Sequence, residues 1–277
     1  MSIRQAEEWV RLVADPATGL EALRARFVQH AYDRHAHETY AIGMTETGSQ
    51  SYRCRGAGYS TRPGALMLFN PAEVHDGRPT DAGGFTYRML YLPVPLLRDL
   101  GGEGFGAPGA EPLFRQPLAQ DETAARVIAE AFDSLAEPDT RLRRDEALLG
   151  VLGILLPRYA GLAPRQAPPA APGLRRARDL LEASLLEDIG IAALAREAGI
   201  SRFHLARGFR RLYGLSPSEY RRQQRLREAR RRIVAGASLA DAALASGFTD
   251  QAHFTRQFKA AYGVTPGRWR QAAMPPG

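Results

Sequence analysis

Two sets of residues in this sequence have types and spacings that could do chemistry. One is a run of arginines: Arg221, Arg222, Arg225, Arg227, Arg230, Arg231 and Arg232. Their planar, permanently charged guanidinium groups suit phosphate oxygens. Near this run stand Arg207, Gln251 and Arg256, side chains able to pair bidentately with guanine or adenine edges. The other set is His35, His37 and His75. His35 and His37, two apart on a strand or at its entrance, point to one side. His75 can join them from a neighbouring strand, and three imidazoles suit a divalent metal. The single cysteine, Cys54, lies between Arg53 and Arg55, but no base is near it in sequence and it reads as an ordinary strand residue. One cysteine excludes an internal disulfide and a cysteine-based zinc site.

The elements that must position these residues divide near Gly173. The stretch from Ala163 to Gly173 has four prolines in eleven residues and no aliphatic residue larger than alanine. It should run as an extended connector between two domains. Residues 174–277 carry 19 basic against 9 acidic residues, a net of +10, whereas residues 1–173 carry 18 against 21, a net of −3. A basic half joined to a near-neutral one suggests a nucleic-acid-binding module with a partner domain. The alternative is a solvated surface in an arginine-rich chain, since 36 of the 37 basic residues are arginine. The longest apolar run, Ala147 to Leu156, is far shorter than the ~20 residues of a membrane span. Glu7, Glu8 and Arg11 stand where an export signal needs an apolar stretch. The expectation is a cytoplasmic protein with no membrane partner.

Upstream of the connector, residues of about 20–110 read as short strands. Tyr40, Ile42 and Met44 share one face at period two, and glycines at 48, 56, 58, 64, 83 and 84 punctuate the runs Ser51–Arg55, Ala65–Phe69 and Phe85–Leu92. Such spacing indicates a sandwich or barrel. Over about 119–160 the period turns helical, with Val127, Ala131 and Leu135 on one helix and Leu142, Leu148, Leu149, Leu152 and Leu156 on another. These helices either cover the strands or form a subunit interface.

Downstream everything reads as helix, and it nearly repeats. Ile191–Ile200 aligns with Leu239–Phe248 at an offset of 48 residues. At an offset of 49, Leu205, Phe209, Tyr213, Gly214, Pro217 and Tyr220 match Phe254, Phe258, Tyr262, Gly263, Pro266 and Trp269. Each copy is a helix of small and apolar residues, a glycine turn and a second amphipathic helix, which is the helix-turn-helix unit. The units span 191–212 and 239–262. Ser216-Pro217-Ser218-Glu219 opens the helix between them with a capping box. From Pro217 to Ala235 that helix is roughly 28 Å long at ~1.5 Å per residue. Adjacent major grooves on one face of DNA are ~34 Å apart, so it can hold two recognition helices about one duplex turn apart.

Gly247-Phe-Thr-Asp-Gln-Ala-His-Phe-Thr-Arg-Gln-Phe-Lys259, followed by Tyr262-Gly-Val-Thr-Pro266, closely resembles the signature of the AraC/XylS family of transcription regulators. The resemblance covers residues 174–277 and implies a seven-helix domain that reads DNA in two parts. Leu205, Phe209 and Leu212 face inward in the first copy, leaving Arg202, Phe203, His204, Ala206, Arg207 and Arg210 outward or at the margin. The family's groove-reaching positions match Phe203, Ala206 and Arg207, with Arg207 expected on guanine. In the second copy Phe254 and Phe258 are core, leaving Gln251, Ala252, His253, Thr255, Arg256 and Lys259 for DNA. Arg222 and Arg225 are expected on phosphates, and Ser201, Thr249 and Asp250 as helix caps.

His35-Ala-His37-Glu38-Thr-Tyr40, then Pro63-Gly64 and Asn70-Pro-Ala-Glu-Val-His75, resembles the cupin pattern of small β-barrels, which many AraC-type regulators carry as effector sensor. The fold class this implies is a two-domain α+β chain. Residues 1–162 would hold a cupin-like β-barrel with a helical extension, 163–173 the linker, and 174–277 an all-α domain. The glutamate usual in cupin metal sites is missing: positions 39–45 are Thr, Tyr, Ala, Ile, Gly, Met and Thr, with Glu38 earlier and Glu46 later. The histidines are therefore expected to line a pocket for a small organic effector, with Tyr40, Ile42, Met44, Tyr87, Met89 and Tyr91 as walls, rather than to hold a metal.

The function expected is a sequence-specific DNA-binding regulator, an activator by family default, and no enzyme. Its partners would be double-stranded DNA, an effector, RNA polymerase and a second copy of the chain. A metal-dependent cupin enzyme with a DNA-binding tail and a constitutive architectural binder are the rival readings.

Overall fold

The computed structural model describes residues 8–105, 109, 111–136, 141–165 and 171–273. They form two compact units, one of residues 1–139 and 147–166, the other of residues 140–146 and 167–277.

The first unit is built on strands β1 (Trp9–Asp15), β2 (Leu20–Phe27), β3 (Tyr32–His35), β4 (Tyr40–Gly48), β5 (Gln50–Cys54), β6 (Ala57–Thr61), β7 (Ala65–Phe69), β8 (His75–Pro79) and β9 (Phe85–Leu92). Helix α1 (Val94–Phe105), strand β10 (Leu118–Gln120) and helix α2 (Glu122–Ala136) follow. A six-stranded sheet runs β1-β2-β9-β4-β7-β10 and a four-stranded sheet β3-β8-β5-β6. The two sheets do not close into a barrel, which corrects the expected cupin-like β-barrel. Closure requires a hydrogen-bond ladder that returns to its starting strand. Here β1 and β10 end one sheet, β3 and β6 end the other, and no ladder joins these end strands among the described residues.

Strand β4 shows how the faces are assigned. Its partners run Ala41↔Tyr91, Gly43↔Met89 and Thr45↔Tyr87 on β9, and Ala41↔Phe69 and Gly43↔Met67 on β7. These positions face the four-stranded sheet and enclose a core of Phe27, Ala41, Tyr52, Met67, Phe69, Phe85, Tyr87 and Met89. Gly43 is required by closeness: a Cβ there would stand 2.7 Å from the Arg88 carbonyl oxygen and 2.7 Å from the Met89 sulfur. Tyr40, Ile42 and Met44 occupy the opposite face, which α2 covers with Ala124, Ala125, Ile128, Ala131 and Phe132. On that face Glu46 accepts from Arg24 at 2.7 Å and from Arg88, whose other arm reaches Asp133 at 2.7 Å.

Helix α3 (Arg141–Tyr159) contributes residues 141–146 to the second unit and the rest to the first. The second unit continues through α4 (Ala171–Ala183), α5 (Ile191–Ala198), α6 (Arg202–Tyr213), α7 (Pro217–Val234), α8 (Leu239–Leu244), α9 (Gln251–Tyr262) and α10 (Pro266–Ala273). Helix α4 takes in the last three residues of the stretch 163–173 expected to be extended, because Pro172 in a first turn forfeits no hydrogen bond. Residues 166–170 of that stretch lie outside the described residues. Gly173 permits α4 to lie against α5 at backbone contact, since a Cβ would be 2.2 Å from the Ala198 carbonyl oxygen. One face of α7 supplies Leu226, Ala229 and Ile233 to a core completed by Ala242, Ala243, Phe248, Phe254 and Phe258.

Ser201, Ser216, Ser238 and Asp250 cap α6, α7, α8 and α9 locally, and two adjacent acids of α3 add acceptors at the starts of α5 and α7. Ser216 and Glu219 form the capping box of α7. Gly190 precedes α5 with no side chain to give, and Asp145 Oδ2 accepts the Ile191 N–H at 3.0 Å instead. Glu146 accepts from Ser218 N at 2.9 Å, Ser218 Oγ at 2.5 Å and Ser216 Oγ at 2.8 Å. Burial pushes the Glu146 carboxyl up to about 7, outweighing these hydrogen bonds.

A carboxyl raised in the folded state binds its proton more tightly there than in the unfolded chain, so its contribution to stability falls as pH rises from about 4.5 to 7. Glu146→Gln, which mimics the protonated form, should gain stability relative to the parent across that window and level off above it. Urea unfolding at a series of pH values measures this, and a pH-independent difference would contradict the assignment. Gly43→Val should cost about 1–3 kcal/mol in the same assay through overpacking against the Arg88 backbone.

Candidate nucleic-acid interface and ligand pocket

Helices α6 and α9 are the second members of the two helix-turn-helix units. Gly199 and Gly247 turn the chain before them at φ of 68° and 84°, a region that favours glycine. Ser201 accepts the His204 N–H at 3.3 Å and Asp250 the His253 N–H at 2.6 Å, so both helices are capped as expected, with Asp250 rather than Thr249 in the role.

On α6, Arg207 and Arg210 are exposed and Arg202 and Ala206 half-buried. Arg210 donates to Glu219 at 3.2 Å, so the capping box competes for it. Two expectations for this helix are corrected. Phe203 and His204 are only 4% and 7% exposed, inside the fold instead of on the outward surface, whereas Leu212, placed inward, is 47% exposed. The buried residues are Phe203, His204, Leu205 and Phe209, so burial gathers in the first two turns of the helix and leaves out Leu212 at its end. On α9, Gln251, Ala252, Arg256 and Lys259 are exposed and His253 and Thr255 half-buried, while Phe254 and Phe258 are fully enclosed.

The arginine run on α7 separates into two groups. Arg222 is half-buried and Arg227, Arg231 and Arg232 are exposed. Arg225, expected on phosphate, is 7% exposed, and its Nε donates to the Leu185 carbonyl at 2.8 Å. Arg221 is 1% exposed, with Nη1 donating to the Ile189 carbonyl at 3.4 Å and Nη2 to that of Glu187. Both side chains satisfy carbonyls of the segment between α4 and α5 that no helix pairs, which corrects the phosphate role given to Arg225. Arg230 lies over the rings of Tyr262 and Trp269 at 5.0 and 4.8 Å.

In the first unit the three histidines come together. His35 ends β3, His75 opens β8, and the two are register partners. His37 follows in the loop. One ring nitrogen from each lies within 4.8 Å of the others. His35 Nδ1 is 2.7 Å from the Asp33 carbonyl oxygen and His75 Nδ1 2.9 Å from that of Glu73. The His75 ring stacks on Phe69 at 3.9 Å between centroids. Burial, with the rings of His75 and His35 adding to it, lowers His37 to about 4; burial also lowers His75. All three rings line a cavity of about 70 Å³ with Tyr32, Tyr87, Met89 and Tyr91 among its walls. The Tyr32 and Tyr87 hydroxyls share a hydrogen bond of 2.9 Å.

Tyr40, Ile42 and Met44 do not line this cavity, which corrects their assignment as walls. Their alternation was right and their face was not. Tyr32, Tyr52, Met67 and Phe69 line it and were not singled out. The position of Tyr32, on the strand that ends in His35, was the available signal. Glu46 lies between Arg24 and Arg88 on the far face of its sheet, and Glu38 is exposed, so neither joins the histidines. The Cys54 thiol is buried and pushed up to about 11, which leaves it an inert core group.

No described helix is long and apolar enough to cross a membrane. Residues 18–152 match the AraC-like ligand binding domain family and residues 194–272 the helix-turn-helix domain family. The uncharacterized HTH-type transcriptional regulator YbfI of Bacillus subtilis is 28% identical over 243 residues, 87% of this chain and 88% of the relative. The probable transcription factor PqrA of Proteus vulgaris is 38% identical over 91 residues, 32% of this chain and 75% of the relative. A solved transcriptional regulator from Chromobacterium violaceum with an AraC-type DNA-binding domain shares 31% identity, covering 39% of this chain and 96% of that one, with a TM-score of 0.36. A duplicated helix-turn-helix unit with exposed basic residues on its second helices, joined to an AraC-like ligand-binding unit, makes this chain a DNA-binding transcriptional regulator of the AraC/XylS family.

Proposed function

We propose that the chain recognises a specific operator through two separate base-reading surfaces and that occupancy of the N-terminal pocket sets its DNA affinity. The observation that carries the reading is the pair of capped recognition helices, α6 packed on α7 and α9 sharing the core that α7 completes. Its 18 residues make that helix roughly 27 Å long. Arg207 on α6 and Gln251 and Arg256 on α9 are exposed and carry the groups that pair with guanine and adenine edges. Ala206 offers only a methyl group, suited to thymine. Arg222, Arg227, Arg231 and Arg232 are the candidates for phosphates, which set register without reading sequence.

The ligand acts by population shift, favouring the arrangement of the chain that binds DNA more tightly. Activation through RNA polymerase, and action as a homodimer in the cytoplasm, belong to the proposal on the strength of the family resemblance.

Selection of bound duplexes from a random pool, followed by titration of the winner at several salt concentrations, tests this. Arg207→Ala should weaken the selected duplex by about 1–3 kcal/mol, relax preference at one position and leave random duplex binding nearly unchanged. Equal loss on both duplexes would remove its base-reading role. Arg222→Ala should weaken all duplexes alike and flatten the salt dependence by about one unit of slope. Enrichment of no sequence would refute specific recognition.

A further inference from the structure

We infer that the ligand of the N-terminal unit is a divalent transition-metal ion of the zinc, nickel and cobalt class, held by His35, His37 and His75. The inference rests on the reading of that unit as a ligand sensor and names the chemistry of the ligand.

Two geometric facts set the donors. A carbonyl oxygen can only accept, so the hydrogen bonds to Asp33 and Glu73 place the proton of His35 and of His75 on Nδ1. Nε2 is then the nitrogen each ring has left to offer, and it carries a lone pair. This is the outer-shell arrangement that orients metal-binding histidines. Two such lone pairs cannot hydrogen-bond to each other, yet strand pairing puts the rings 4.6 Å apart between centroids. An electrophile between them removes the conflict. The third ring, His37, is 4.9 and 5.2 Å from the other two. Its backbone is held by the Ala72 N–H on the His37 carbonyl, so rotation of its side chain is what would bring the nitrogens from within 4.8 Å to the about 3.3 Å spacing that bonds of ~2.0–2.1 Å impose.

Size selects against an organic effector. Pockets for organic ligands measure ~300–1,000 Å³, and this cavity measures about 70 Å³. That is room for an ion with about two water-sized ligands at ~30 Å³ each. Asp76 lines the cavity as well, but its Oδ1 already accepts the Arg53 N–H at 2.6 Å. An all-imidazole donor set favours zinc, nickel, cobalt and copper over magnesium and calcium, which want oxygen. Tyr32, Tyr87 and Tyr91 line the same cavity, and their hydroxyls suit water or a small oxyanion there.

The test uses the full chain, stripped with chelator and titrated with Co²⁺ and Zn²⁺, with Mg²⁺ as control. Expected are one Co²⁺ per chain with ligand-field absorption bands, displacement by Zn²⁺ and no competition from Mg²⁺. His37→Ala and His75→Gln should each weaken Co²⁺ binding at least tenfold; His37→Ala, in the loop, should leave the melting of the metal-free protein unchanged. Absence of saturable binding, or binding indifferent to both variants, would overturn the inference. Duplex affinity with and without Zn²⁺ is read separately. A bound ion that leaves DNA affinity unaltered keeps the metal site and removes the sensing role, whereas failure to bind metal leaves recognition of DNA to be judged by its own assay.

Discussion

The C-terminal unit depends on one helix serving two cores at once. Helix α7 gives Leu226, Ala229 and Ile233 to the second helix-turn-helix unit. Toward the first it gives Arg221 and Arg225, whose guanidinium groups end on carbonyls of residues 185–189. Neither attachment tolerates slip, because the apolar stripe has helical period and each arginine meets particular carbonyls. A buried guanidinium without those acceptors would cost several kcal/mol, so the loop and the helix specify each other. Gly247 belongs to the same arrangement: a Cβ there would stand 2.8 Å from Arg225 Nε. The spacing of the two helix-turn-helix units is thereby set by packing rather than by a tether.

The C-terminal half was legible in the sequence because its punctuation is local. Ser201, Ser216, Ser238 and Asp250 each cap the helix that follows, and each glycine turn has positive φ. Such signals act within four residues and need no tertiary context. What did not read through were the two ends of α6. Leu212 shares the face of Leu205 and Phe209 by helical period yet is exposed, whereas Phe203, half a turn away, is buried, and only packing decides this. The burial of Arg221 and Arg225 was equally hidden, since in a run of seven arginines nothing local distinguishes a side chain that meets carbonyls from one that meets water.

The N-terminal half was legible as strands but not as faces or closure. Alternation along β4 identified Tyr40, Ile42 and Met44 as one set. Yet Tyr40 through Gly43 are all buried, so alternation says nothing of which set faces the second sheet. The inner set, Ala41, Gly43 and Thr45, looks unremarkable in sequence because its function is to be small. The histidines were found because imidazoles at a spacing of two are conspicuous. The carbonyls that orient them were not, since the backbone of Asp33 and Glu73 carries no residue-specific mark.

The basic surface is guanidinium almost throughout. Lys259, exposed on α9, is the one lysine in the chain. Guanidinium groups hold their charge at any pH a cell reaches, and enzymes that acylate amines cannot neutralise them. Acetylation could remove a single positive charge of the 19 in residues 174–277. The hold of this half on a polyanion is therefore closed to erasure by acyl transfer and open to control through ionic strength.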